Sequence, residues 1–547
     1  MKFSVLLASV MACSALSTVP VNAQMVSVNG ALASAVQVTK ESDSKADFGW
    51  REITTKHFVI YSDVAEDKAR SFAERMERFD GAIRQIVGAQ ESIPVTIYLV
   101  SDIEEVQRLA GRKNIGGFYS GAAQGPYLVA PLKAYENNTI RDTARTILFH
   151  EYGHHMTLGN SSEFYPGWVT EGLAEFFSTA DFGADGSVTL GAPNTMRTYD
   201  IGGMNRWNVE QLLTSDSREI PSNQRIERYT RGWLLCHYLL VSGKRNGQLS
   251  AYVKKINEGA DALTAGKEVF GDLKQLNVEI ERYVKQSTLP GLTFIPDSVK
   301  GGIPLTVRRL TEGQAKIMPA RLRSAIGVNE ETAPKVAAQG AAIAAQYPND
   351  PFVQRAMAEM AYDTKQYDQA IAAADRALEA EPNNLMAVVY KGRSLAKVAQ
   401  KEKDAAKWKQ ARGQFVKANK LDPNHALPFV LYYDSFAASG ETPPEAAFTG
   451  LLRAKMIVPQ DDSINLRIGY ALIQKGDLAW ARKALAPVGF NPERGEKNPA
   501  KMLILAIDEG KTTQEIQELA KKVKLNEVNE FTEKSPEDEK QEFQPIQ

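Results

Sequence analysis

Five prolines, Pro348, Pro382, Pro423, Pro459 and Pro492, recur through the C-terminal part of this chain at steps of 34, 41, 36 and 33 residues. Three stand in closely similar settings: Tyr347-Pro348-Asn349-Asp350, Glu381-Pro382-Asn383-Asn384 and Asp422-Pro423-Asn424. A unit of that size cannot bury its apolar side alone, so successive copies must stack to share one continuous core. Within one unit, Ala358, Tyr362, Tyr367, Ala370, Ala374 and Ala377 set small and aromatic side chains at the spacing of two packed helices. The long step contains the charged insertion Lys401 to Lys409. Residues 315–525 are therefore expected to form an all-α solenoid.

This pattern resembles the tetratricopeptide repeat, which implies a concave surface that binds a protein partner. The tail, 526–547, is rich in Glu, Lys, Gln and Pro and is expected to be disordered.

The N-terminus has another character. Met1-Lys2, the apolar run Phe3 to Leu16 and Val21-Asn22-Ala23 read as a signal peptide over 1–23, cut after Ala23. Export to the periplasm or the cell exterior is expected. Val10-Met11-Ala12-Cys13 offers a lipoprotein anchor at Cys13 as the minor alternative. Cys236 is the only other cysteine, so the mature chain has no internal disulfide. It sits in the apolar helical run Trp233 to Tyr238 and reads as a small buried hydrophobe. A net charge of -1 gives no reason to expect nucleic acid or an anionic membrane as partner. No later apolar run reaches the ~20 residues needed to span a bilayer.

Residues 24–47 read as a loose leader. Residues 48–288 read as an α+β domain: strands at His57 to Ser62, Val95 to Val100, Gly117 to Ser120 and Tyr127 to Leu132, with helices at Asp67 to Val87 and Arg141 to Leu158. Residues 205–287 read as mainly helical. Residues 289–314 carry Gly, Pro and β-branched residues and read as a linker or small β element.

The chemistry is concentrated in His150-Glu151-Tyr152-Gly153-His154. Residues four apart share one face of a helix, so both imidazoles can reach one tetrahedral ion at ~2.0–2.1 Å. The chain has only six histidines, and an accidental HExxH has odds on the order of one in two hundred. Sixteen residues separate His154 from Glu171, in Trp168-Val169-Thr170-Glu171-Gly172-Leu173-Ala174-Glu175. That leaves room for one turn back, and a carboxylate there completes three protein ligands with a fourth position open. Glu175, one turn on, is placed to orient a ligand histidine. His155 points about 100° away from His154 and is not expected to be a ligand. His57 and His425 stand alone and read as structural.

These two segments resemble the gluzincin zinc peptidases, the thermolysin and aminopeptidase N group. The resemblance implies a thermolysin-like catalytic domain, a Zn2+ held by His150, His154 and Glu171, and Glu151 as general base. It also implies an oxyanion donor from the following helices. Tyr229 resembles that position, with His237 and Tyr199 as competitors. Aminopeptidases of the group carry Gly-x-Met-Glu-Asn upstream. This chain has Gly116-Gly117-Phe118-Tyr119-Ser120-Gly121 instead, which favours endopeptidase action on peptides or unfolded proteins. The alternative is a non-catalytic repeat scaffold of the cell envelope with a structural or inactive metal site. The presence of Glu151 speaks against it, because a structural zinc site needs no base.

Overall fold

The computed structural model describes residues 24–27, 49–88, 93–110, 116–120, 123–132, 143–158, 164–193, 207–215, 225–286, 288–295, 302–459, 461–489, 498–523 and 531. The expected signal peptide, Cys13, Tyr199 and most of the tail lie outside them.

The chain opens with β1 (Gln24–Ser27), β2 (Arg51–Thr54), β3 (Phe58–Ser62), α1 (Glu66–Val87), β4 (Val95–Val100), α2 (Ile103–Ala110), β5 (Phe118–Ser120) and β6 (Tyr127–Pro131). Next come α3 (Thr143–Leu158), α4 (Gly167–Ser178), β7 (Asp181–Phe182) and β8 (Val188–Leu190). The helices α5 (Val209–Leu213), α6 (Arg225–Val241), α7 (Gln248–Asn257), α8 (Ala262–Phe270) and α9 (Leu273–Val284) lead to β9 (Pro290–Phe294) and β10 (Thr306–Arg309).

A mixed sheet of six strands, ordered β10-β2-β3-β4-β6-β5, organises this half. β3, β4 and β6 run parallel, and the outer strands are antiparallel to their neighbours. Alternation along β3 and β4 sorts the two faces. Phe58, Ile60, Val95, Ile97 and Leu99 join Phe72, Met76, Phe79 and Ile83 of α1 in the main core. Tyr61, Tyr98 and Val100 point the other way, with Val106 and Leu109 of α2.

The second face ties the two expected domains together. It is covered by Met318 and Leu322 of α10 (Glu312–Ile326), a helix that the repeat texture assigned to the solenoid. The Arg321 guanidinium lies over Tyr61 at 4.8 Å and over Phe352 at 4.6 Å. Of the two readings of residues 289–314, linker or small β element, the second holds for the described residues. β10 pairs with β2, while β9 joins β1, β8 and β7 in a second sheet. β1 in turn shows that the first residues of the expected leader form a strand, paired with β9 from Gln24↔Thr293 to Ser27↔Pro290.

Beyond α10 the chain is a run of antiparallel helical hairpins: α11 (Ala333–Gln346), α12 (Pro351–Asp363), α13 (Tyr367–Ala380), α14 (Leu385–Glu402), α15 (Ala405–Leu421), α16 (Ala426–Ala438), α17 (Glu445–Ile457), α18 (Asp462–Gln474), α19 (Leu478–Gly489), α20 (Pro499–Asp508) and α21 (Thr513–Lys522). Three repeat prolines fall in the turns between units, where Asp350, Asn384 and Asp461 cap the next helix. Alanines at the helix crossings, such as Ala370, Ala374, Ala411 and Ala418, are fully buried. The array touches the first half again at the turn between β5 and β6, where the Ala123 N–H donates to Asp461 at 2.9 Å. Among the described residues no helix is long and apolar enough to cross a membrane.

Candidate metal centre

Three helices converge on the site: α3 carries His150, Glu151 and His154, α4 carries Glu171 and Glu175, and α6 carries Arg228 and Tyr229. α3 is oriented by its opposite side, where Leu148, Phe149, Tyr152 and Met156 enter the main core. Phe149 packs against Phe79 of α1, with ring planes tilted by 34° and centroids 4.1 Å apart. The Tyr152 hydroxyl donates to Asp80 at 2.6 Å, and Asp80 also accepts from Arg84 at 2.6 Å. α4 approaches α3 closely because Gly153 has no side chain; a Cβ there would stand 3.1 Å from the Ala174 Cα. α4 and α6 likewise cross at Gly172 and Gly232.

The convergence has the dimensions of a metal site. His150 Nε2 and His154 Nε2 are 3.1 Å apart, and Glu171 Oε2 lies 3.2 Å from the first and 3.6 Å from the second. A tetrahedral ion with bonds of ~2.0–2.1 Å holds its ligand atoms about 3.3–3.4 Å apart. Glu171 Oε2 is buried and satisfied by no hydrogen bond. A buried carboxylate oxygen left so is costly unless a cation meets it. The donor set of two imidazoles and one carboxylate fits Zn2+.

The electrostatics set the three residues apart. Burial opposes charge on His150, but Glu171, Glu175 and Glu151 outweigh it and raise the imidazolium to about 9. Burial lowers His154 to about 4, with Glu171 opposing and His150 adding to the fall. Burial alone would raise the Glu171 carboxyl, yet His154, His150 and Arg228 pull it below the usual range. The two histidines thus diverge: the neighbouring glutamates favour charge on His150, whereas burial disfavours it on His154.

Glu151 differs from Glu171. Burial raises it to about 7, with His150 opposing and Glu171 adding. It also takes a hydrogen bond from the backbone of Tyr119 on β5, the outer strand of the sheet. A carboxyl poised near neutrality is suited to accept and return a proton. Glu175 Oε1 stands 3.6 Å from His150 Nδ1, on the side expected but beyond hydrogen-bond reach.

The Tyr229 ring packs beside His150, with centroids 5.9 Å apart and planes 31° from parallel, and is half-buried. His237, its competitor, is removed from the site. It is fully buried between Phe176, Trp233 and Tyr283, and its Nδ1 lies 3.0 Å from the Tyr283 hydroxyl. Cys236 is buried, and burial pushes its thiol far up. His155 is buried, and its Nδ1 lies 2.9 Å from the Tyr119 hydroxyl. His57 forms a second cluster, with Glu77 at 2.7 Å and Asp80 at 3.2 Å. Asp80 is already committed to Arg84 and Tyr152, so this cluster ties α1 to α3. Sequence reasoning missed Tyr119 and Arg228; neither belongs to a motif, and only the folded sheet and α6 bring them to the site.

Residues 143–260 match the family described as a protein of unknown function (DUF1570). That span holds α3, α4 and α6 and hence all three candidate ligands. No curated protein matches the chain. Among solved structures the chain is similar to "MamA 41-end from Desulfovibrio magneticus RS-1" and to "MamA RS-1 ArsTM double mutant". Each is 18% identical, covers 34% of this chain and 98% or 97% of its own, and has a TM-score of 0.27.

Proposed function

We propose that the chain is a zinc-dependent peptidase of thermolysin-like construction, acting within polypeptide segments. The observation that carries this reading is the pairing of an open three-ligand set with Glu151, the carboxyl next to His150 on the same helix. When bound by His150, His154 and Glu171, Zn2+ supplies a Lewis acid that polarises a carbonyl and acidifies water. Glu151 takes the proton of the attacking water on one carboxylate oxygen and delivers it to the departing amine. The Tyr229 hydroxyl donates to the carbonyl oxygen as that atom gains charge. Glu175, with Oε1 3.6 Å from His150 Nδ1, attracts that side of the ring by its charge. An extended substrate added to β5 as a further strand lies across Glu151, because the Tyr119 backbone already touches that carboxylate. The helical array, which resembles tetratricopeptide repeats, recruits a protein client or partner.

A second reading is a non-catalytic scaffold, favoured by the length of the helical array alone. The two separate cleanly on metal and activity. The peptidase reading expects about one zinc per chain and casein cleavage that a chelator abolishes and added zinc restores. His154→Ala should remove both metal and cleavage. A zinc-free protein, or casein cleavage unaffected by chelation, contradicts it.

A further inference from the structure

One repeat is built differently from its neighbours. α14 and α15 have 18 and 17 residues, against 13 to 14 in α12, α13, α16 and α17. The extra length is the Lys401–Lys409 insertion, and it brings Trp408 to the hairpin. Phe531, from the tail expected to be disordered, is fully buried there. Its ring stands edge-on to Trp408 with centroids 5.7 Å apart and parallel to Phe415 at 6.4 Å. The Lys397 ammonium lies 5.8 Å from the same ring centroid and donates to the Phe531 carbonyl at 3.3 Å. So one side chain holds the occupant by its ring and by its backbone, a combination that recognises an aromatic residue in a polypeptide.

We infer that this hairpin carries a recognition pocket for an aromatic residue flanked by carboxylates, and that Phe531 occupies it in cis. Charge supports the occupant's class. Residues 526–543 hold seven carboxylates and two lysines, whereas residues 397–409 hold five lysines and two carboxylates. The last described helix ends at Lys522, close enough in sequence for a short tether that gives Phe531 a high effective concentration. An acidic, aromatic-bearing segment of another polypeptide must therefore displace the tail to bind. The inference rests on the array's role as a polypeptide-binding scaffold and is independent of turnover at the metal centre.

The test uses the full chain and a fluorescein-labelled peptide of residues 525–537, read by anisotropy. The peptide should bind the Phe531→Ala chain at least about tenfold more tightly than wild type, where the tether competes. The same peptide carrying Phe531→Ala should lose binding, and Lys397→Ala added to the Phe531→Ala chain should weaken it. Equal binding to both chains, or binding to neither while circular dichroism shows intact helices, overturns the inference. So does loss of the helical fold in Phe531→Ala, which would make Phe531 a fixed part of the core. Because the readout is binding, failure here leaves the peptidase reading untouched.

Discussion

Gly172 and Gly232 face each other across the crossing of α4 and α6: a Cβ on Gly172 would fall 2.5 Å from both the carbonyl carbon and oxygen of Gly232, and 2.8 Å from Cys236 Sγ. No side chain fits there without moving a backbone. The crossing lies one residue from Glu171 and three from Tyr229, so it sets the distance between a ligand and the candidate oxyanion donor.

Gly172→Ala should therefore push the two helices apart. Overpacking of this kind costs about 1–3 kcal/mol. We expect a lowered Tm and a reduced zinc content, measured by calorimetry and metal analysis. Gly153→Ala meets Ala174 Cα at 3.1 Å, a looser contact, and should cost less. A Gly172→Ala protein with wild-type Tm and metal would mean that the crossing is not tight.

Tyr229→Phe should lower kcat by about 10²–10³-fold, the usual loss of one oxyanion donor. KM should change little, because the hydrogen bond forms chiefly in the transition state. Zinc content should stay the same, since Tyr229 is not a ligand. An unchanged kcat would return the residue to a packing role beside His150.

Cutting the chain after Gln314 removes Met318 and Leu322, both 1% exposed or less, from the second face of the sheet. Burial of such side chains stabilises by about 1.5–3 kcal/mol each. Their loss also bares Tyr61 and Tyr98. That fragment should aggregate, whereas one ending at Asp363 keeps α10, Arg321 and Phe352 and should remain soluble and bind zinc. Size-exclusion chromatography with metal analysis distinguishes them. A well-behaved fragment ending at Gln314 would show that the cover of α10 is dispensable.

That boundary shows where sequence reading gave out. Runs of β-branched and aromatic residues located β3 and β4, which are buried on both faces, and the 3.6-residue period located α1, which has one buried face. The candidate cluster was legible because His150 and His154 share a helix face and Glu171 follows on the next helix. α10 serves both halves, which no local pattern records: Met318 and Leu322 cover the sheet, while Ile317 and Ala320 pack with Val336, Ala337 and Val353 of the repeat helices. β2 and β10 are short edge-side strands whose partners are more than 250 residues apart, which no local pattern records. Tyr119 reaches Glu151 through its backbone, so its side-chain identity carries no signal. Phe531 was lost in an acidic tail because one aromatic residue cannot announce its pocket.

The central claim is that Glu151 moves the proton while His150, His154 and Glu171 hold the metal. Glu151→Gln keeps the shape of the side chain and removes its basicity. Zinc content and casein cleavage should be measured together on this variant and on wild type. Zinc should be unchanged, at about one ion per chain, with cleavage reduced by about 10²–10⁴-fold. Wild-type cleavage by Glu151→Gln with zinc retained, or absence of cleavage in both proteins when fully loaded, would contradict that claim.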